Sequence, residues 1–251
     1  MSAAAETIHA PRPMLKLFVA GLLAALGVAG LTWLGVWQLE RRVWKLALVA
    51  RVDRRVHAAP VAAPGPAEWA QVTRARDEYR PVRASGRFLN DRETLVRAVT
   101  ELGGGFWVLT PFRTDEGFTV LVNRGFVPPE RRDPGTRSAG EIGGETVVTG
   151  LLRMSEPGGA FLHANAPPDN RWYSRDVTAI AAARHLSNVA PYFIDADAEP
   201  NPGGFPTGGL TVIAFPNNHL VYALTWFGLA LLLAGATIRA GKDEWRLRRE
   251  L

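Results

Sequence analysis

Apolar residues gather in two long uncharged runs near the ends of the chain, and the polar stretch between them alternates in short bursts. From Leu17 to Leu39 the sequence reads LFVAGLLAALGVAGLTWLGVWQL, bounded by Lys16 and Glu40. From Leu220 to Ile238 it reads LVYALTWFGLALLLAGATI and stops at Arg239. Either run is long enough to cross ~30 Å of hydrocarbon as a helix. The eleven Leu, Val and Phe of the first and the nine Leu, Val, Phe and Ile of the second contribute roughly −4 to −5 kcal/mol per run on an insertion scale. The first run has no polar face, which argues against a buried helix of a soluble protein. No A-x-A-like site follows it, so it reads as a retained anchor and not as a cleaved signal.

The two runs divide the chain. The expected segments are an N-terminus at 1–16, a first span at 17–39, a basic stalk and Pro/Ala linker at 40–67, a β-rich domain at 68–215, a second span at 216–238 and a basic tail at 239–251. Residues 40–57 continue the first helix, with Trp44 among arginines at headgroup level. Within the domain, short runs rich in Val, Phe, Thr and Leu predict strands at 82–89, 94–99, 106–114, 118–127, 146–154, 192–194 and 210–215. The triple glycine 103–105 reads as a turn. Val177 to Leu186 predicts one soluble helix, capped by Ser174 or Asp176. The fold class is therefore a membrane protein with two transmembrane helices flanking an exported mostly-β (α+β) domain, an antiparallel sheet or open barrel. Basic residues flank both sides of the spans, but long loops are exported largely regardless of charge. The termini are accordingly expected in the cytoplasm and the large domain outside.

Composition narrows the chemistry. The chain has no cysteine, which excludes disulfides, thiolate metal sites, covalent c-type haem attachment and cysteine nucleophiles. Residues 40–218 hold 22 Lys and Arg against 20 Asp and Glu, too even a balance for a nucleic-acid footprint. No G-x-S-x-G, H-E-x-x-H, Walker or G-x-G-x-x-G motif occurs in a suitable context, so no enzyme activity is expected. Carboxylate pairs such as Asp115 with Glu116 and Asp195 with Asp197 read as solvated turn residues. The five histidines, at 9, 57, 163, 185 and 219, contain no i, i+4 pair that would preform a metal site.

His219 stands apart, because it puts an imidazole at the mouth of the second span, where an ionisable group is costly without a partner, cavity or ligand. One reading is a helix-entry residue after an Asn217 or Asn218 cap, hydrogen-bonded at the interface. The other is an axial ligand to haem iron. Helical spacing puts His219, Tyr222, Ala223, Trp226 and Ala230 on one face, with the alanines as room for a flat macrocycle and Tyr222 and Trp226 as aromatic walls. The aromatics equally suit an interfacial belt. Gly21, Ala25 and Ala29 would let the first span pack closely against Ala230 and Ala234. Arg41, Arg42 and Lys45 would then share the depth of His219, where they face either haem propionates or anionic lipid headgroups.

Four ordered segments carry a resemblance: Gly35 to Arg41 with Trp44 and Lys45; Gly105 to Phe112; Val120 to Pro128; and Pro216 to Phe227. In order and spacing they resemble the signature motifs of the surfeit locus protein 1 family over nearly the whole chain. Phe126 departs from the tryptophan usual after Asn-Arg-Gly, and a Pro/Ala linker is added after the stalk. The resemblance implies an assembly factor for haem-copper cytochrome c oxidase, binding haem a transiently and assisting its insertion into subunit I. It implies His219 as the iron ligand, with oxidase subunit I, haem a synthase and membrane lipid as partners. With no Arg-rich transit segment before Lys16, the expected location is a bacterial inner membrane, the large domain periplasmic. The alternative is a haem-independent scaffold that stabilises subunit I through the exported domain.

Overall fold

The computed structural model describes residues 13–160, 162–211, 213 and 217–249. It separates into two compact units, Met1–Ala50 with Ala214–Leu251 and Arg51–Ile213. The N-terminal residues before 13 and half of the expected 210–215 strand lie outside the described residues; the described residues of that segment, 210, 211 and 213, are not in a strand.

In the first unit, helix α1 begins at Met14 and is unbroken to Val56, and α4 runs His219–Arg249. At 1.5 Å per residue these are about 65 and 46 Å long, and both are long and apolar enough to cross a membrane. They pair antiparallel: Gln38 meets His219, Gly35 meets Phe227 and Gly27 meets Leu233. A Cβ at Gly35 would stand 2.5 Å from Phe227 Cε1, so only glycine admits that ring. The expected stripe of Gly21, Ala25 and Ala29 is not the seam, since Ala25 and Ala29 are exposed and nothing approaches Gly21. A strict four-residue step walks about 40° round the helix each time. The partly buried positions Gly27, Leu31, Leu34 and Gln38 are spaced by four, three and four, with buried Gly35 beside Leu34, which keeps them facing α4.

The second unit is a barrel. Its strands are β1 (Val61–Ala62), β2 (Pro81–Phe88), β3 (Thr94–Thr100), β4 (Gly103–Thr114), β5 (Thr119–Val127), β6 (Thr146–Met154) and β7 (Val189–Ala196). The order is β1-β2-β6-β7-β5-β4-β3, and a further pairing of β2 with β4 closes a ring of five. Thus the expected sheet or open barrel closes. All contacts in the ring are antiparallel except β5 with β7. Closure turns on Gly86, which pairs with Thr146 on β6 and Thr114 on β4; a Cβ there would collide with the Arg113 carbonyl.

Strand alternation builds two cores. Val82, Phe112, Val120, Val122, Leu152, Tyr192 and Ile194 form one cluster, while Leu109, Leu121 and Phe193 point the other way to meet Val96, Trp172, Val177 and Ile180. Helix α2 is a short turn, Arg74–Asp77. Helix α3 (Val177–Ala183) supplies Val177 and Ile180 to the outer cluster and is capped by Asp176, whose carboxylate accepts from Ala179 N–H at 3.1 Å. It stops three residues short of the expected end, where His185 turns to φ 52°.

Two loop expectations change. The Pro/Ala linker joins the sheet: β1 lies parallel to β2, Ala63 is buried, and the Pro64 carbonyl accepts from Tyr192 Oη (2.7 Å) and Trp69 Nε1 (3.0 Å). The triple glycine belongs to β4, and the turn is Glu101 and Leu102, between paired Thr100 and Gly103. At Gly105 a side chain would meet the Val127 carbonyl and the Phe126 ring. The edge of β3 is partly covered where Arg97 N–H donates to the Trp172 carbonyl at 2.9 Å.

Candidate functional site

His219 is the first residue of α4 and half-buried. Its Nδ1 lies 2.7 Å from Gln38 Oε1 on α1. An amide oxygen only accepts, so Nδ1 is the donor in this contact, and in the neutral imidazole that leaves the lone pair on Nε2, the form in which imidazole binds metals. Nε2 makes no hydrogen bond among the described residues. Two residues earlier, Asn217 Oδ1 is buried with no hydrogen-bond partner. Among the described residues, an imidazole nitrogen and an amide oxygen at the start of α4 are thus both without a protein hydrogen-bond partner.

The five positions expected on one face are divided. Ala223 and Ala230, 0% and 6% exposed, are buried, so the room expected there for a macrocycle is already filled. Trp226 is half-buried and Tyr222 is exposed, so the accessible surface beside His219 is aromatic. Arg41, Arg42 and Lys45 do not share the depth of His219. Gln38 occupies it, and the basic residues begin a turn further along α1, about 5 Å on, with the Arg41 guanidinium 4.2 Å from the Trp44 ring. Among the described residues no cluster of three or more His, Asp or Glu could hold a metal.

Gln38 is the functional candidate that spacing alone does not reveal. Its signal is compositional: it is the one amide in the uncharged run 17–39. Burying a carboxamide without a partner is unfavourable.

The barrel carries a second polar centre. Asp195, expected in a solvated turn, lies on β7 and is 3% exposed. It accepts from Arg153 Nη1 (2.7 Å), Arg175 Nη1 (3.1 Å), Asn123 Nδ2 (2.8 Å) and the Thr211 hydroxyl (3.0 Å). Arg153 also donates to Glu78 at 2.9 Å, and Arg175 to Glu156 at 2.6 Å. Burial alone would raise the Glu156 pKa, but the hydrogen bond and charge of Arg175, with Arg153 behind it, hold it below the ordinary carboxylate value. Its members are bonded to one another, which makes this network a structural pin joining β5, β6 and β7.

The Asn123, Arg124, Gly125 motif resolves into three jobs. Asn123 bonds Asp195. Arg124, 3% exposed, lies over the Phe88 ring at 4.7 Å and donates to Asn201 Oδ1 at 2.7 Å and to the Gly140 carbonyl; burial pushes its pKa down to about 10. Gly125 adopts φ +130°, and a side chain there would strike the Thr207 carbonyl.

Acid sensitivity follows from two carboxylates. Burial would raise the pKa of Asp77, but the Thr73 N–H, Arg76 and Arg80 bring it below its ordinary value, as happens to Glu156. Groups depressed in the folded state stabilise it above their unfolded pKa of about 4 and lose that contribution as pH falls through the lower folded value. The thermal midpoint of the barrel unit is therefore expected to be flat above about pH 5 and to fall below about pH 4. Asp77→Asn should lower the midpoint at neutral pH and flatten that decline; an unchanged acid slope in this variant would rule Asp77 out as a source.

The SURF1 family model matches residues 25–231, a span that contains both Gln38 and His219. The chain is similar to Surfeit locus protein 1 of Homo sapiens, 41% identical over 214 residues that make up 78% of this chain and 69% of that protein. It is 40% identical to Surfeit locus protein 1 of Mus musculus over 212 residues, 78% of this chain and 67% of the relative. A SURF1-like protein of Drosophila melanogaster is 33% identical over 220 residues, 78% of this chain and 69% of its own length.

Proposed function

Because the chain belongs to the SURF1 family, we propose that it is a non-catalytic assembly factor for haem-copper cytochrome c oxidase, holding haem a at the membrane and assisting its insertion into subunit I. The observation that carries this reading is the His219 imidazole at the start of α4, with Nδ1 engaged by Gln38 and Nε2 open. Haem a, when bound, would supply an iron able to take an imidazole nitrogen as ligand. His219 would hold it through Nε2, Tyr222 and Trp226 would offer aromatic surface beside it, and Asn217 Oδ1 would accept a hydrogen bond. With no cysteine in the chain, the hold is non-covalent. A single protein ligand also favours release, since a recipient with fixed ligands wins by differential affinity. Oxidase subunit I is the recipient in this reading and haem a synthase the supplier. Helices α1 and α4 cross a bacterial inner membrane with both termini on the cytoplasmic side and the barrel on the periplasmic side.

The test is an absorption spectrum with haem extraction on detergent-purified full chain from cells that make haem a, beside His219→Ala. Stoichiometric haem in the wild type and its loss in the variant is the expected result. A wild type without haem, or a variant that keeps it, would overturn the ligand role in favour of a haem-independent scaffold.

A further inference from the structure

Resting on the haem reading of His219, we propose that Gln38 is a positioning residue for the iron ligand, so that α1 fixes the tautomer and aim of an imidazole carried by α4. Three observations lead there. Gln38 is the one amide in an uncharged run, and its side-chain oxygen is 2.7 Å from His219 Nδ1. Histidines that bind metals generally donate their second ring N–H to a fixed acceptor, which sets ring orientation and raises ligand basicity. Gln38 also follows Gly35 by one helical turn. The missing side chain at Gly35 admits Phe227, so the distance between the bonded groups is set by helix packing and not by a loop.

The identity of the acceptor sets the strength of the ligand. A neutral amide accepts about half as strongly as a carboxylate, so it draws less imidazolate character from His219. An iron held this way is bound more loosely than with an acidic partner, which suits a site that must give its cargo up. The bond also reports helix register: a slip of one residue moves Gln38 about 1.5 Å along and 100° around α1, enough to release the ring.

The experiment uses full-length protein in detergent from haem a-producing cells, comparing wild type, Gln38→Leu, Gln38→Glu and His219→Ala. Gln38→Leu keeps the apolar helix and is expected to weaken haem retention on the order of 10- to 100-fold. Gln38→Glu should keep haem and shift its midpoint potential downward, because a stronger acceptor makes the imidazole a better donor to ferric iron. Loss of retention in one variant and retention with a shifted potential in the other separate positioning from mere folding, which would impair both variants alike. If His219→Ala loses haem while both Gln38 variants match wild type in retention and potential, Gln38 has no such role and the haem reading survives. If the wild type itself holds no haem, both fall.

Discussion

Asp195→Ala is expected to lower the stability of the barrel unit by about 3–5 kcal/mol, the range for removing one partner of a buried ion pair. The reason is what stays behind. Arg153 and Arg175 each donate to Asp195, and both are largely buried, with side chains 13% and 14% exposed. Without the carboxylate, each guanidinium keeps its charge and loses a compensating acceptor, while Asn123 and Thr211 lose theirs as well. For a unit of this size the thermal midpoint should drop by about 10 °C. Asp195→Asn, which retains one acceptor oxygen, should cost distinctly less. Thermal unfolding followed by near-ultraviolet circular dichroism of the buried Trp172 would measure both; a loss below about 1 kcal/mol in the alanine variant would mean that the pair behaves as a solvated surface pair.

Gly35→Leu should separate the helix pair. Even a Cβ at this position falls 2.5 Å from the Phe227 ring, and a leucine adds three more carbons to the same space. Overpacking of this kind costs about 1–3 kcal/mol, and it acts one turn from Gln38, so the bond to His219 should break with it. The absence of cysteine makes the pairing directly measurable. Gly27 and Leu233 are in contact, and Leu233→Cys removes the methyl that a side chain at residue 27 would meet. Gly27→Cys with Leu233→Cys should oxidise to an intramolecular disulfide in the native background and lose two titratable thiols. Adding Gly35→Leu should leave those thiols free; undiminished cross-linking would show that the seam tolerates the bulk.

What the sequence revealed and what it hid follow from the range of the interactions. Both long helices were legible because insertion depends on summed apolarity within a single run. Strands such as Thr119–Val127 were legible from local β-forming residues and flanking turn signals. Ring closure was not, because it depends on Gly86 meeting Arg113 and Thr114, residues that no local pattern relates. Asp195 read as solvated because it is paired in sequence with Asp197 in what looks like a turn, while its partners Arg153 and Arg175 come from distant segments. His219 could be singled out by its place at a helix mouth, whereas Gln38, 181 positions away, gains its meaning only from the antiparallel register. The small-residue stripe misled for a related reason: four-residue spacing marks close packing in general and leaves open which of several offset stripes faces the neighbour.

The strand order has a consequence for life beside other copies of the same chain. Sheets join edge to edge wherever a long strand margin is open, and proteins confined to a membrane surface meet at high local density. Here the ring consumes the margins of five strands, the terminal β1 is two residues long, and the margin of β3 is interrupted by Trp172. The connectivity that builds the barrel thus also keeps neighbouring molecules from fusing into a shared sheet.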